Sequence, residues 1–232
     1  MIKEHTPYTI DDAVFDIRSK VSSKPKDFVL STNLPSVDTL INEDRKCFKA
    51  SVACVYLKLN SEEDVSNNMF IYETVTSEVR KAMVEDINCI DVFAIGNCIY
   101  GIFYTPIKES MKLLIDCLAK VHSTLILFAN IGGLEDLNYR IVANYGDVYF
   151  ANYKINTGIS NYHWFGNIFD NVLAKAKKEP ADNYVYITDF IRENIIETYQ
   201  NFFVPEEMPW FKASVVNTIF SNWQDNDTIN NK

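Results

Sequence analysis

Five cysteines, three histidines and a few clustered carboxylates are the side chains whose spacing could support chemistry in this 232-residue chain. Cys47, Cys54, Cys89, Cys98 and Cys117 contain no CxxC pair and no histidine at zinc-ligand spacing, so no zinc site is expected. Cys54, Cys89 and Cys117 sit in apolar runs, where a thiol behaves as a small hydrophobe. Glu62, Glu63 and Asp64 follow an apolar strand-like run and stand where a helix dipole favours acidic side chains. They read as solvated first-turn residues. His122 lies within an apolar helical stripe and reads as a packed side chain. The tip of a central hairpin carries Asn97, an amide that is a poor ligand for a hard divalent cation.

That hairpin organises the elements around it. Asn88 to Tyr104 contains two apolar runs of strand length that meet at Gly96-Asn97, residues that tolerate the positive φ of a tight turn. Apolar residues on both faces of each run predict a hairpin in the middle of a covered sheet. Ala50 to Leu59 is a preceding strand, and Glu62 to Val84 a helix with Val65, Met69, Tyr72, Val75, Val79 and Met83 facing inward. A second helix is expected over Lys108 to Asn130, with Met111, Leu114, Ile115, Leu118, Val121 and Leu125 facing in, closed by Gly132-Gly133. Tyr139 to Tyr145 and Val148 to Tyr153 read as a second hairpin about Gly146-Asp147, followed by a polar loop over Asn156 to Asn161. Then come a helix from His163 to Lys178, a strand over Tyr184 to Ile187 and a helix from Thr188-Asp189 to Tyr199. A Pro-rich turn over Pro205 to Pro209 leads into a last strand, Phe211 to Trp223. This order predicts an α+β fold: a ferredoxin-like βαββαβ core, an antiparallel sheet with helices on one face. Residues 1–33 are an N-terminal extension with a short helix over Asp11 to Val21, residues 34–223 the domain, and residues 224–232 a polar tail.

Composition bounds the function. With 47% hydrophobic and 13% aromatic residues the chain can bury one substantial core. A formal net charge of −9 argues against DNA or RNA as a partner but not against a nucleotide carried with Mg²⁺. The N-terminus MIKEHTPYTIDD has no apolar signal-peptide region. The longest apolar run, Leu125 to Ile131, falls short of the roughly 20 residues that span a bilayer. A cytoplasmic protein without a membrane anchor is expected.

Several stretches together carry a resemblance. Tyr56-Leu57-Lys58-Leu59-Asn60 ends the first strand, Gly96-Asn97-Cys98 forms the central turn, and His163-Trp164-Phe165-Gly166 follows the expected second hairpin. Thr218-Ile219-Phe220-Ser221-Asn222-Trp223 lies near the end. In order and spacing these resemble the class III nucleotide cyclases, above all the pyrimidine cyclases of bacterial Pycsar anti-phage systems, over Leu34 to Trp223. The resemblance implies the class III cyclase fold, an active site between two subunits, and conversion of UTP or CTP to cyclic UMP or cyclic CMP plus pyrophosphate. It also implies two metal ions, Mg²⁺ or Mn²⁺, which activate the 3′-hydroxyl and hold the triphosphate and are themselves held by two aspartates.

At the two positions matching those aspartates the chain has Lys58 and Asn97. Like charges 4 Å apart cost about 4 kcal/mol at an effective dielectric near 20, so an ammonium opposes a cation there. Asp91 is too early in its strand to reach the turn, each residue advancing roughly 3.3 Å. The family's arginine after the turn aspartate matches Cys98, a loop arginine matches Thr157, and a helix asparagine matches Asp170. The basic position four further on is Ala174, with Lys175 and Lys177 beside it, while Tyr56 matches a base-contacting position and Trp164 a loop-to-helix junction. Nucleotide-binding candidates are therefore Tyr56, Cys98, Thr157, Trp164, Asp170 and Lys175, with no intact catalytic pair, no cofactor and no protein metal ligand expected. The resulting expectation is a degenerate cyclase that binds a pyrimidine nucleotide or serves as a dimer partner, to itself or to an active chain. The alternatives are an active uridylate or cytidylate cyclase with substitute metal ligands, needing Mg²⁺ or Mn²⁺, and a purely structural subunit.

Overall fold

The computed structural model describes residues 29–30, 36–41, 45–58, 65–131, 137–154 and 160–218, with positions 14 and 18. Of the expected helix over Asp11 to Val21 only Val14 and Arg18 are described, both helical; its other residues, the carboxylates Glu62 to Asp64, Gly132-Gly133, Thr157 and the closing stretch from Ile219 onward lie outside the described residues.

In chain order the elements are β1 (Val29–Leu30), α1 (Val37–Ile41), β2 (Arg45–Lys58), α2 (Val65–Val84), β3 (Cys89–Ile95), β4 (Cys98–Phe103) and α3 (Lys108–Ile131). They continue as β5 (Asn138–Lys154), β6 (Ser160–Phe165), α4 (Asn167–Ala176), β7 (Val185–Thr188), α5 (Asp189–Asn194), α6 (Glu197–Gln200), β8 (Val204–Pro205) and β9 (Trp210–Ala213). The strands form one sheet in the order β3-β4-β2-β5-β7-β9-β8, with β1 beside β2 and β6 beside β5. The β1–β2 and β5–β7 pairs are parallel and the rest antiparallel. The α+β class is as the sequence indicates.

Two apolar clusters fill the two faces. Alternation along β2 sends Ala53, Val55 and Leu57 to one side, where α2 and α3 pack, and Val52 and Cys54 to the other. All six inward residues named for α3 are buried, as its period of 3.6 requires. α3 has the length and composition of a membrane span, yet half of that window is buried inside the domain, as in a core helix. On the opposite face Ile168, Val172 and Ala176 of α4, with Leu40 of α1, cover the sheet. Helices thus lie on both faces, beyond the single covered face expected.

Several boundaries differ from the sequence reading, each for a visible reason. The expected turn at Gly146-Asp147 is the middle of β5: β2 extends back to Arg45 and pairs Ala50 with Gly146 and Lys49 with Asp147. A Lys49–Asp147 ion pair of 2.8 Å spans that ladder, and Ile168 of α4 lies over the glycine. His163 to Phe165 belong to β6, since Trp164 pairs with Phe150 and His163 with Ala151. The helix starts only after Gly166, at φ 141°, a conformation open to glycine alone. A Cβ there would also stand 2.7 Å from the Asp147 carbonyl oxygen.

The central hairpin also moves. β4 is interior, with all six residues buried, but β3 is the edge strand. Its two-sided apolarity arises because both sheet faces are covered: Ile90 and Phe93 join the α4-side cluster and Val92 the cluster under α2 and α3. In α2, Val75, Val79 and Met83 are buried but Met69 is 58% exposed. Tyr72 already reaches the Gly96 carbonyl at the end of the sheet, so a side chain one turn earlier projects past it. The helix expected through Tyr199 breaks at Ile195, whose backbone is extended. The last strand ends at Ala213 because its partner β7 has only four residues.

Candidate functional site

The end of β2 meets the β3–β4 turn through backbone and side chain alike. Leu57 donates its N–H to the Asn97 carbonyl at 2.9 Å, and the Asn97 Nδ2 donates to the Leu57 carbonyl at 2.9 Å. Gly96 holds φ 57°, which a tight turn requires here. The fold thereby brings Tyr56, Lys58, Asn97 and Cys98 together, as the sequence implies. The amide of Asn97 ties the turn to β2, a job a carboxylate could not do because it lacks a donor.

Lys58 is engaged by a carboxylate from beyond α4. Its Nζ donates to Glu179 Oε2 at 2.9 Å, across a 41% exposed lysine and a 53% exposed glutamate. The same lysine holds the Glu179 carboxyl below its ordinary range. Cys98 is buried beneath the turn, where its contact with Cys54, ahead of the charge of Lys177, holds its thiol below the ordinary range. Tyr56 is half-buried, directly opposite Cys98 in the β2–β4 ladder. Among the described residues no group of three or more His, Cys, Asp or Glu could hold a metal ion.

The other matched positions lie elsewhere on the α4 face. The Trp164 indole donates to Asp91 Oδ2 at 2.7 Å, joining β6 to edge strand β3, and its ring packs edge-on against Phe150 at 4.9 Å. Asp91 is thus held by an indole, away from the turn. Phe93, Tyr100 and Phe169 pack together beside it, so aromatic rings fill the space between these elements. Asp170 is exposed on α4. Lys175 is buried: its ammonium lies 4.4 Å from the Tyr186 ring centroid and pairs with Glu206. Thr157 lies outside the described residues.

Three groups that sequence reasoning did not single out complete this side. Arg140, 4% exposed, donates to Asp182 and to the carbonyls of Lys175, Lys178 and Pro180, fastening the end of α4 to β5. Glu206 and Glu207, in the β8–β9 turn, pair with Lys175 and Lys178. A cleft of about 610 Å³ opens beside them, lined by Asn144, Tyr145, Asn171, Phe190 and Trp210 among others. An arginine inside the apolar run Tyr139 to Tyr145 was the one available signal.

No family model and no curated protein matches the sequence. Solved structures do match the fold. The crystal structure of a class III adenylyl cyclase-like ATP-binding protein from Pseudomonas aeruginosa superposes with a TM-score of 0.67 at 14% identity, covering 91% of this chain and 49% of that one. The adenylyl cyclase CyaB from P. aeruginosa gives 0.59 at 12% identity over 75% of this chain and 96% of its own. The guanylyl cyclase Cya2 gives 0.57 at 12% over 75% and 94%. The chain therefore has the α+β fold of the class III nucleotide cyclases.

Proposed function

We propose that this chain is a homologue of the Pycsar pyrimidine cyclases in anti-phage defence, one that has lost metal-dependent turnover and acts as a cytoplasmic nucleotide-binding or dimer-partner module. The cyclase-like domain is residues 34–223, and the partner is a second copy or an active cyclase chain. The observation that carries this reading is the pairing at the turn: Lys58 with Glu179 and Asn97 with Leu57. Two metals need anionic oxygens aimed at one point. Here an ammonium and an amide donor hold those places. The structural neighbour described as a cyclase-like ATP-binding protein supports nucleotide binding on this fold without fixing the base.

The test is incubation of the purified protein with each of the four NTPs and Mn²⁺ or Mg²⁺, followed by mass spectrometry. No cyclic nucleotide is expected, while a pyrimidine triphosphate raises the melting temperature. Cyclic product lost on altering a residue of the turn would overturn the proposal. A ligand at 100-fold its Kd stabilises by about 2.7 kcal/mol, so absence of any shift with all four NTPs would favour a purely structural subunit.

One observation favours the active alternative. Glu179 puts a carboxylate within 2.9 Å of the Lys58 ammonium. Displacement of the lysine would leave an anionic oxygen near the turn. Under that reading Glu179→Gln abolishes cyclic-nucleotide formation; under ours there is none to abolish.

A further inference from the structure

Lys175 and Lys178 lie three residues apart on the last turn of α4 and just beyond it, on the side facing the β8–β9 turn. Neither reaches solvent unopposed. Glu206 covers the inner lysine and Glu207 the outer one, both from a turn closed by the Glu206 N–H to Trp210 carbonyl and Trp210 N–H to Glu207 carbonyl bonds. Both lysines line the 610 Å³ cleft, and Glu207 stands on its rim. Cations three residues apart match the oxygens of successive phosphates, which a lysine engages as a point charge.

We propose that this is a polyphosphate site held shut by the chain's own carboxylates: Glu206 and Glu207 occupy the lysines in the free protein, and the phosphates of a di- or triphosphate ligand displace them. The proposal rests on the nucleotide-binding reading above and gives the phosphates a position on α4, away from the Asn97 turn. Two features give the exchange an order. The Lys178–Glu207 pair is exposed, 56% and 69%, and pairs of that kind hold weakly in water. Lys175 is enclosed, 4% exposed, between Tyr186 and Glu206. An incoming anion therefore meets Lys178 first and reaches Lys175 only as the β8–β9 turn moves outward. Lys178 is held above its ordinary range and Glu207 below by their mutual contact, so both stay charged at neutral pH.

Binding of tripolyphosphate, and separately of UTP, is measured by calorimetry at low salt on the full chain, the Glu206→Gln/Glu207→Gln double variant and Lys178→Gln. Melting curves first establish that each variant is folded. Removing the two carboxylates is expected to raise tripolyphosphate affinity at least tenfold and Lys178→Gln to lower it. Hydrogen exchange over residues 204–213 is expected to accelerate when tripolyphosphate is added to the unaltered protein. Equal affinity in the folded double variant, or no tripolyphosphate binding in either, overturns the proposal. If UTP binds all three proteins alike and tripolyphosphate does not compete, this site is wrong and the nucleotide reading survives. If tripolyphosphate behaves as expected and no nucleotide binds, the site stands and the nucleotide reading fails.

Discussion

The β3–β4 turn and the α4–β9 side of the sheet handle charge in opposite ways. At the turn, the residues that could gather a cation are an amide tied to the Leu57 carbonyl and a lysine tied to Glu179. At the α4–β9 side cations are plentiful, and Arg140, Lys175, Lys178 and Lys212 are each met by Asp182, Glu206 or Glu207. The first region uses its polar groups to hold the turn to β2 and to make one exposed ion pair. The second keeps its charge but cancels it internally. One fold, that of the class III cyclases, thus carries two different treatments of charge on the same sheet.

If the α4–β9 network holds the domain together, breaking it has the largest effect. Arg140→Met takes the guanidinium from Asp182, which keeps only Lys212 at 3.8 Å and the Tyr186 hydroxyl, and from the carbonyls of Lys175, Lys178 and Pro180, and breaking a buried charge network in this way costs about 3–5 kcal/mol. Chemical denaturation measures it directly. Gly166→Ala comes next. Its φ of 141° and the Asp147 carbonyl at 2.7 Å make about 3 kcal/mol of strain the expected cost, with the loss centred on the β6–α4 junction.

The turn should respond less. Asn97→Ala removes one hydrogen bond to a backbone carbonyl and is expected to cost about 1 kcal/mol. Asn97→Asp puts a carboxylate against the same carbonyl and should cost more than alanine. The reverse order would mean that the turn favours an acidic side chain, against the comparison above.

The smallest effect is a pH dependence. His122 is buried, with Nδ1 2.6 Å from the Val215 carbonyl and Nε2 3.0 Å from the Asn183 carbonyl. Burial lowers its pKa below the ordinary 6.5, while the two carbonyls offset part of the shift. Since the unfolded chain takes up the proton first, this histidine's contribution to stability is complete above about pH 6.5 and declines as pH falls below it. Thermal melts at pH 7.5 and 5.5 should differ in that direction, and His122→Gln should narrow the difference. An unchanged difference in that variant would assign the effect to other groups.

Periodicity made the central elements legible. The apolar stripe of α3 and the turn at Gly96-Asn97 stand where the sequence puts them, although β3 lies at the sheet edge. Gly146-Asp147 misled because a glycine in a strand and a glycine in a turn look alike locally, and only pairing with the backward extension of β2 separates them. His163 to Phe165 misled because short aromatic runs suit either helix or strand until the β5 ladder is known. Lys58 and Asn97 were legible as residues at the strand end and the turn, but their partners were not. Glu179 lies 121 positions from Lys58, and Glu206 lies 31 from Lys175, separations at which no local pattern exists.

The proposal turns on whether the Lys58–Asn97 turn binds metal ions. Crystals soaked with Mn²⁺ and a non-reactive UTP analogue test it through the anomalous scattering of manganese. The expected result is no manganese within coordination distance, roughly 2.0–2.6 Å, of any protein oxygen at the Lys58–Asn97 turn. Two ordered manganese ions bridging that turn and the analogue's phosphates would contradict it.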